Sequence, residues 1–219
     1  MKNYLDLLKT VKLFQGIEES NLQSLLSCLC GKMIHYEKGQ TVFFSGESIV
    51  KFGIVLSGQV QIVQEDYYGN RSILAKIDIG NLFGESFACA EIKTLPVSVI
   101  TTTESELLFI DCHRLAVPCA NACDFHSKLI QNMLHIVSMK NIALTQKIEF
   151  TSKRTTREKL LAYLSAQAKK AGCSRFSIPF NRQELADYLS VERSAMSAEL
   201  SKLRNDGLLN FHKNQFELL

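Results

Sequence analysis

No apolar run among the 219 residues approaches the roughly 20 needed by a membrane-spanning helix, so no span and no membrane partner are expected. The opening MKNYLDLLKT sets Asp6 inside a short apolar pattern and lacks a signal-peptide layout, which makes the cytoplasm the expected location. No low-complexity tract and no convincing internal repeat is present. The seven cysteines are odd in number and irregularly spaced, and read as reduced thiols rather than a disulfide framework. No His or Asn is placed to support Cys89 beside Glu85 as a nucleophile, so no enzyme is expected.

What is present is an ordinary globular composition, 46% hydrophobic and 21% charged, in a chain long enough for two domains. The formal charge of +3 hides an asymmetry. Residues 151–219 carry 12 Lys and Arg against 7 Asp and Glu, a balance of +5, and the remainder carries −2. A basic last third on a mildly acidic body suits contact with a polyanion.

Residues 181–203, NRQELADYLSVERSAMSAELSKL, read as two short helices joined by a tight turn. Leu185, Leu189, Val191, Met196, Leu200 and Leu203 form the expected buried side, and Ala186 lets the helices approach. Arg193, Ser194, Ser197 and Lys202 are left facing outward from the second helix. This is the pattern of a helix-turn-helix, whose second helix enters a DNA major groove.

Upstream, apolar positions between residues 3 and 29 predict two or three short helices broken at Gln15-Gly16. From Met33 to about Asp111, short strands such as Thr41–Phe44, Gly53–Leu56, Gln59–Val63 and Leu107–Ile110 alternate with glycines, predicting a compact antiparallel barrel or roll. Pro118 suits the first turn of a long helix reaching about Phe150. Its heptad-like stripe of Cys119, Cys123, His126, Ile130, Met133, Val137, Lys140 and Leu144 suits a two-helix seam. Thr155 and Glu158 have capping-box spacing for a helix that Gly172 stops. Ser177–Phe180 reads as an extended link, and Leu208–Phe211 with Gln215–Leu218 as a hairpin wing.

The Gly-punctuated roll with LSGQV at 56–60, FGE at 83–85, the long central helix and RQELADYLSVERSAMSAEL at 182–200 together resemble the Crp/Fnr family of transcription regulators. The resemblance implies an α+β chain. An effector domain over residues 1–117, a double-stranded β-helix or jelly-roll-like roll, precedes a dimerisation helix over 118–150 and a winged helix-turn-helix over 151–219. It also implies a homodimer reading a palindromic site in double-stranded DNA, with RNA polymerase as a further partner. Arg193 would meet guanine or phosphate, and Ser194 and Ser197 base edges or phosphates. Asn181, Arg182 and Gln183 would meet phosphate, with Asn181 a helix cap as the alternative. Lys202, Arg204 and Lys213 are further backbone candidates. Well-known members carry a glutamate where Ser194 stands and an arginine where Ala198 stands, so a different half-site is expected.

In the effector segment, Gly84, Glu85 and Ser86 match the family's nucleotide-binding stretch. The positions of its phosphate-binding Arg-Ser pair fall on Leu95 and Pro96. Leucine has no charge, and proline neither hydroxyl nor N–H, so cyclic AMP is not expected and the effector is open. A rival sensor is the set Cys119, Cys123 and His126, at i, i+4 and i+7, which could hold a metal or respond to oxidants. Packing is the competing reading of those residues. A small-molecule-binding module is the alternative function class.

Overall fold

The computed structural model describes residues 4–69, 71–116 and 124–219. The chain falls into two compact units, Met1–Ser138 and Met139–Leu219. Pro118, Cys119 and Cys123 lie outside the described residues.

The first unit begins with α1 (Leu5–Thr10), a single 3-10 turn (Lys12–Phe14) and α2 (Glu19–Cys28), broken at Gln15-Gly16 as predicted. Eight strands follow: β1 (Lys32–Tyr36), β2 (Thr41–Phe43), β3 (Lys51–Ser57), β4 (Val60–Glu65), β5 (Arg71–Ile77), β6 (Leu82–Phe83), β7 (Ser98–Thr101) and β8 (Ser105–Asp111). Between β6 and β7 lies α3 (Glu85–Cys89), and α4 (Cys112–Ala116) continues from β8. The strands form two antiparallel sheets in the orders β1-β8-β3-β6 and β2-β7-β4-β5.

Strands β3 and β8 are apolar on both faces because the first sheet is covered on both sides. Successive side chains alternate. Phe52, Ile54 and Leu56 with Leu108 and Ile110 join the N-terminal helices in one core, while Val55, Leu107 and Phe109 turn inward against Val60 and Val99 of the second sheet. Gly53 is required by this inner packing: a Cβ there would fall within the Phe83 ring.

Helix α5 (Asp124–Thr151) buries Leu129, Met133 and Ile136 together with His126. The Asn132 amide donates to the Leu13 and Gln15 carbonyls, both at 2.9 Å, tying the helix to the N-terminal segment. The predicted stripe therefore mixes two faces. His126 and Met133 point into the first unit, whereas Ile130 and Leu144 belong to an exposed row that also includes Leu134 and Ile148.

The second unit contains α6 (Thr156–Ala171), β9 (Arg175–Ser177), α7 (Arg182–Leu189), α8 (Arg193–Asn205), β10 (Leu209–His212) and β11 (Gln215–Leu218). The predicted capping box of Thr155 and Glu158 is formed, and Gly172 closes α6 in the left-handed conformation. The wing is a three-stranded sheet, β10-β11-β9, rather than a hairpin alone. Part of the expected extended link thus starts as a strand paired with β11. Together these elements are the expected α+β architecture, an N-terminal roll and a C-terminal winged helix-turn-helix.

Candidate nucleic-acid interface and effector pocket

The helix-turn-helix is held from behind. Leu185, Ala186, Leu189, Met196, Leu200 and Leu203 are fully buried in the core of the second unit, and Val191 is half-buried. Ser190 takes the left-handed conformation at the turn, φ 52°, where a glycine would be unstrained. The Val191 N–H donates to the Ala186 carbonyl at 3.0 Å. Lys159 of α6 donates to the Leu189 and Ser190 carbonyls at 3.3 and 3.2 Å, satisfying acceptors that the end of α7 leaves open. Arg157 bridges Glu199 at 3.3 Å and Asp206 at 2.8 Å, which fixes α8 from the same helix. Neither Lys159 nor Arg157 was identifiable from the motif, since each acts across 30 residues or more.

Asn181 caps α7 through a reciprocal box with Glu184: its Oδ1 accepts the Glu184 N–H at 3.0 Å, and Glu184 accepts the Asn181 N–H at 2.8 Å. The Asn-x-x-Glu spacing carries that signal in the sequence. At α8 the cap is Glu192. Its carboxylate accepts the Ser194 N–H at 3.2 Å, the Ala195 N–H at 3.0 Å and the Ser194 hydroxyl. These bonds, the Ser194 hydroxyl first among them, hold the Glu192 carboxyl below its ordinary range.

Arg193, Ser194 and Ser197 share the exposed opening turns of α8, and Arg193 makes no ion pair among the described residues. The two serines are not idle: Ser194 donates to Glu192, and Ser197 to the Arg193 carbonyl at 2.9 Å. Each hydroxyl oxygen keeps acceptor capacity for an incoming donor. Lys202 lies 3.8 Å from Glu199, and Gln183 donates to Asp187 at 2.9 Å.

Arg182 is set apart from the other phosphate candidates. Its guanidinium lies over the rings of Phe211 at 4.8 Å and Phe216 at 5.1 Å, and burial lowers its pKa. Arg204 covers Phe211 at 5.1 Å. These arginines thus join the wing to the helices. Lys213, exposed at the wing tip, is itself in the left-handed region at φ 52°.

In the roll, Gly84 opens α3 at φ 77°, and Glu85 behind it is only 3% exposed, with the Ser86 hydroxyl 3.4 Å from its Oε1. Leu95 is 1% exposed and belongs to the apolar core, while Pro96 is exposed. The Leu95 N–H donates to the Glu47 carbonyl, and its own carbonyl accepts the Gly46 N–H, both at 2.8 Å. The roll interior is occupied by aromatic rings: Phe43 lies 5.7 Å from Phe83 and 5.8 Å from Phe109. Charge for a phosphate is thus missing at 95, and the space beside it is apolar.

His126 is 2% exposed, is stacked on Phe125, and among the described residues has no hydrogen-bond partner on either ring nitrogen. Among the described residues no group of three His, Cys, Asp or Glu is placed to hold a metal. Also among them, no helix is long and apolar enough to cross a membrane.

A cyclic nucleotide-binding domain is matched at residues 33–117 and a Crp-like helix-turn-helix domain at residues 158–219. The transcriptional activator protein FnrL of Cereibacter sphaeroides is 24% identical over 183 residues, 80% of this chain and 71% of that protein. The CRP-like cAMP-activated global transcriptional regulator of Mycobacterium tuberculosis is 23% identical over 204 residues, 92% of this chain and 89% of that protein. Among solved structures, the c-di-GMP responsive global regulator CLP of Xanthomonas campestris superposes with a TM-score of 0.56 at 21% identity, covering 92% of this chain and 99% of that one. These relatives are transcription regulators and not enzymes. A nucleotide-binding-type roll followed by a winged helix-turn-helix of Crp type places the chain in the Crp/Fnr family of DNA-binding transcription regulators.

Proposed function

We propose that this regulator works as a cytoplasmic homodimer. Its two α8 helices read a palindromic operator under the control of an effector other than cyclic AMP, and RNA polymerase is the partner on the promoter. The observation that carries the reading is the exposed opening of α8: Arg193, Ser194 and Ser197 stand exposed on a helix fixed from behind by Arg157, within residues 151–219 of charge +5. Lys202 and Lys213 add phosphate contacts. Arg182 and Gln183 act chiefly by holding the wing and the first turn of α7.

The dimer is supported by the exposed row Ile130, Leu134, Leu144 and Ile148 on α5, with half-buried Val137 and exposed Asn141 completing alternate steps of four and three. That is the spacing of a two-helix seam. The division into an effector domain at 1–117, a dimerisation helix at 118–150 and a DNA-binding domain at 151–219 follows from these roles. Exclusion of cyclic AMP rests on Leu95, a buried leucine where the family's phosphate-binding arginine would stand.

Selection of binding sites from a randomised duplex library, followed by affinity measurement at several salt concentrations, tests the reading. A palindromic consensus bound by two chains, with affinity falling steeply as salt rises, is expected. Binding that is independent of sequence would overturn it. Calorimetric titration with cyclic AMP is expected to give no heat of binding.

One observation favours a second reading of the sensor: among the described residues the buried His126 imidazole lacks the partner that buried polar groups almost always have. Metal analysis of anaerobically purified protein tests whether His126, with Cys119 and Cys123, holds a metal; metal-free protein removes that reading.

A further inference from the structure

Cys89 ends α3 and Cys112 begins α4, and the two helices pack against each other in the first unit. Ala88 and Cys112 share one core, and one residue beyond Cys112 the His113 ring nitrogen lies 3.8 Å from the Glu91 carboxylate. The two thiols lie close enough across this gap for each to shift the other's titration. They differ in access: Cys89 is exposed and Cys112 is buried.

We propose that Cys89 and Cys112 form a redox-active dithiol, with a peroxide as the oxidant, whose disulfide joins the end of α3 to the start of α4. Cys89 is the attacking thiol and Cys112 the resolving one. The neighbouring Cys112 side chain lowers the Cys89 pKa against the opposing effects of burial and Glu85. The same proximity, with burial, raises that of Cys112. A thiolate that is exposed and a neighbour that keeps its proton are the two components such chemistry needs.

The steps balance. The Cys89 thiolate attacks one peroxide oxygen, the O–O bond breaks, and the leaving hydroxide or alkoxide takes up the proton released by Cys89. Cys89 is then a sulfenic acid. The Cys112 sulfur attacks the Cys89 sulfur, the S–O bond breaks, and the hydroxyl leaves as water with the Cys112 proton. Two thiols are oxidised to one disulfide, and one peroxide is reduced to water plus water or an alcohol.

An S–S bond is about 2.05 Å long, well inside thiol–thiol contact, so its formation draws the two helix ends together. Helix α3 begins at the Gly84-Glu85 effector segment, and this couples oxidation to the sensor. That regulatory consequence rests on the DNA-binding reading given above; the dithiol itself does not.

Full-length protein is reduced, treated with hydrogen peroxide near stoichiometry and digested with trypsin without reduction. Fragments 77–93 and 94–114, which contain Cys89 and Cys112, are expected to appear joined and to separate on adding dithiothreitol. Cys89→Ser abolishes the product. Cys112→Ser and Cys112→Ala each leave Cys89 to proceed to sulfinic acid. The pair is overturned if the exposed Cys30 and Cys173 oxidise while no 77–93/94–114 product forms, or if wild-type Cys89 over-oxidises as readily as in the Cys112 variants. Operator affinity of the oxidised and reduced chains is then compared, and a change of at least fivefold is expected. A cross-linked chain whose measurable operator affinity is unchanged overturns the regulatory role. Absence of operator binding in both redox states counts against the DNA-binding reading and not against the dithiol.

Discussion

Glu192 accepts the Ala195 N–H at 3.0 Å, closing the first turn of α8 with a carboxylate that stands beside Arg193 on the face proposed for DNA. A carboxylate is well placed for the helix dipole and badly placed for a phosphate. On the proposed reading the residue trades duplex affinity for order in α8.

Glu192→Gln is expected to tighten binding to non-cognate duplex by about two- to fivefold, the scale of one exposed charge contact, while lowering the thermal midpoint. Fluorescence anisotropy with random-sequence DNA and thermal unfolding check the two halves. An acid dependence follows as well. Glu192 and Glu158 both titrate below the ordinary carboxylate range in the folded chain, held there by the Ser194 hydroxyl and the Thr155 backbone respectively. Their stabilisation is complete above about pH 4.3 and is lost as pH falls through the lowered folded values. The double variant Glu158→Gln/Glu192→Gln should show a flatter fall of the thermal midpoint below that pH.

Arg193→Ala is expected to weaken operator binding by about 1–3 kcal/mol, or about 5–150-fold, and to relax preference at one base pair of each half-site. A uniform loss across all sequences, with the salt slope reduced by about 0.9, would instead assign Arg193 to a phosphate. Unchanged affinity and slope would remove it from the interface.

The parts of this molecule written in local chemistry were legible in the sequence. Thr155 with Glu158, Gly172 as a stop, and the apolar spacing from Leu185 to Leu203 all act within a few residues. Strand β9 was not legible, because three residues at Arg175–Ser177 become a strand only when Gln215–Glu217 lie alongside. The role of Arg182 escaped for the same reason: its stacking partners Phe211 and Phe216 are supplied by the wing. The predicted stripe on α5 shares Ile130, Val137 and Leu144 with the row proposed for pairing. His126 and Met133 recur at the same helical spacing but are buried, Met133 in one core with the N-terminal helices.

Gly53→Ala tests whether the roll interior is as tightly filled as its rings indicate. The added methyl meets Phe83, which is itself 6.3 Å from Phe109 and 5.7 Å from Phe43, so displacement of one ring disturbs all three. Overpacking of this kind typically costs about 1–3 kcal/mol. A corresponding fall in the urea midpoint is expected, with the slope unchanged; a neutral result would mean that the rings can yield, leaving room for an effector among them.

The seam proposed on α5 makes one demand at Leu134 and Leu144 and the opposite one at Asn141. Leu134 and Leu144 stand exposed, 67% and 61%, and leucine at such sites gains by burial against a second copy. Leu134→Glu/Leu144→Glu is expected to yield monomers by sedimentation and to abolish binding to the paired operator while leaving weak, salt-sensitive duplex binding. Asn141 occupies the a position between Leu134 and Ile148, where a polar residue weakens a seam yet fixes its register and its number of strands. Asn141→Leu is therefore expected to raise resistance to dissociation and at the same time to broaden the mass distribution toward higher oligomers. A variant that gains stability and remains uniformly dimeric would show that register is set elsewhere along the helix.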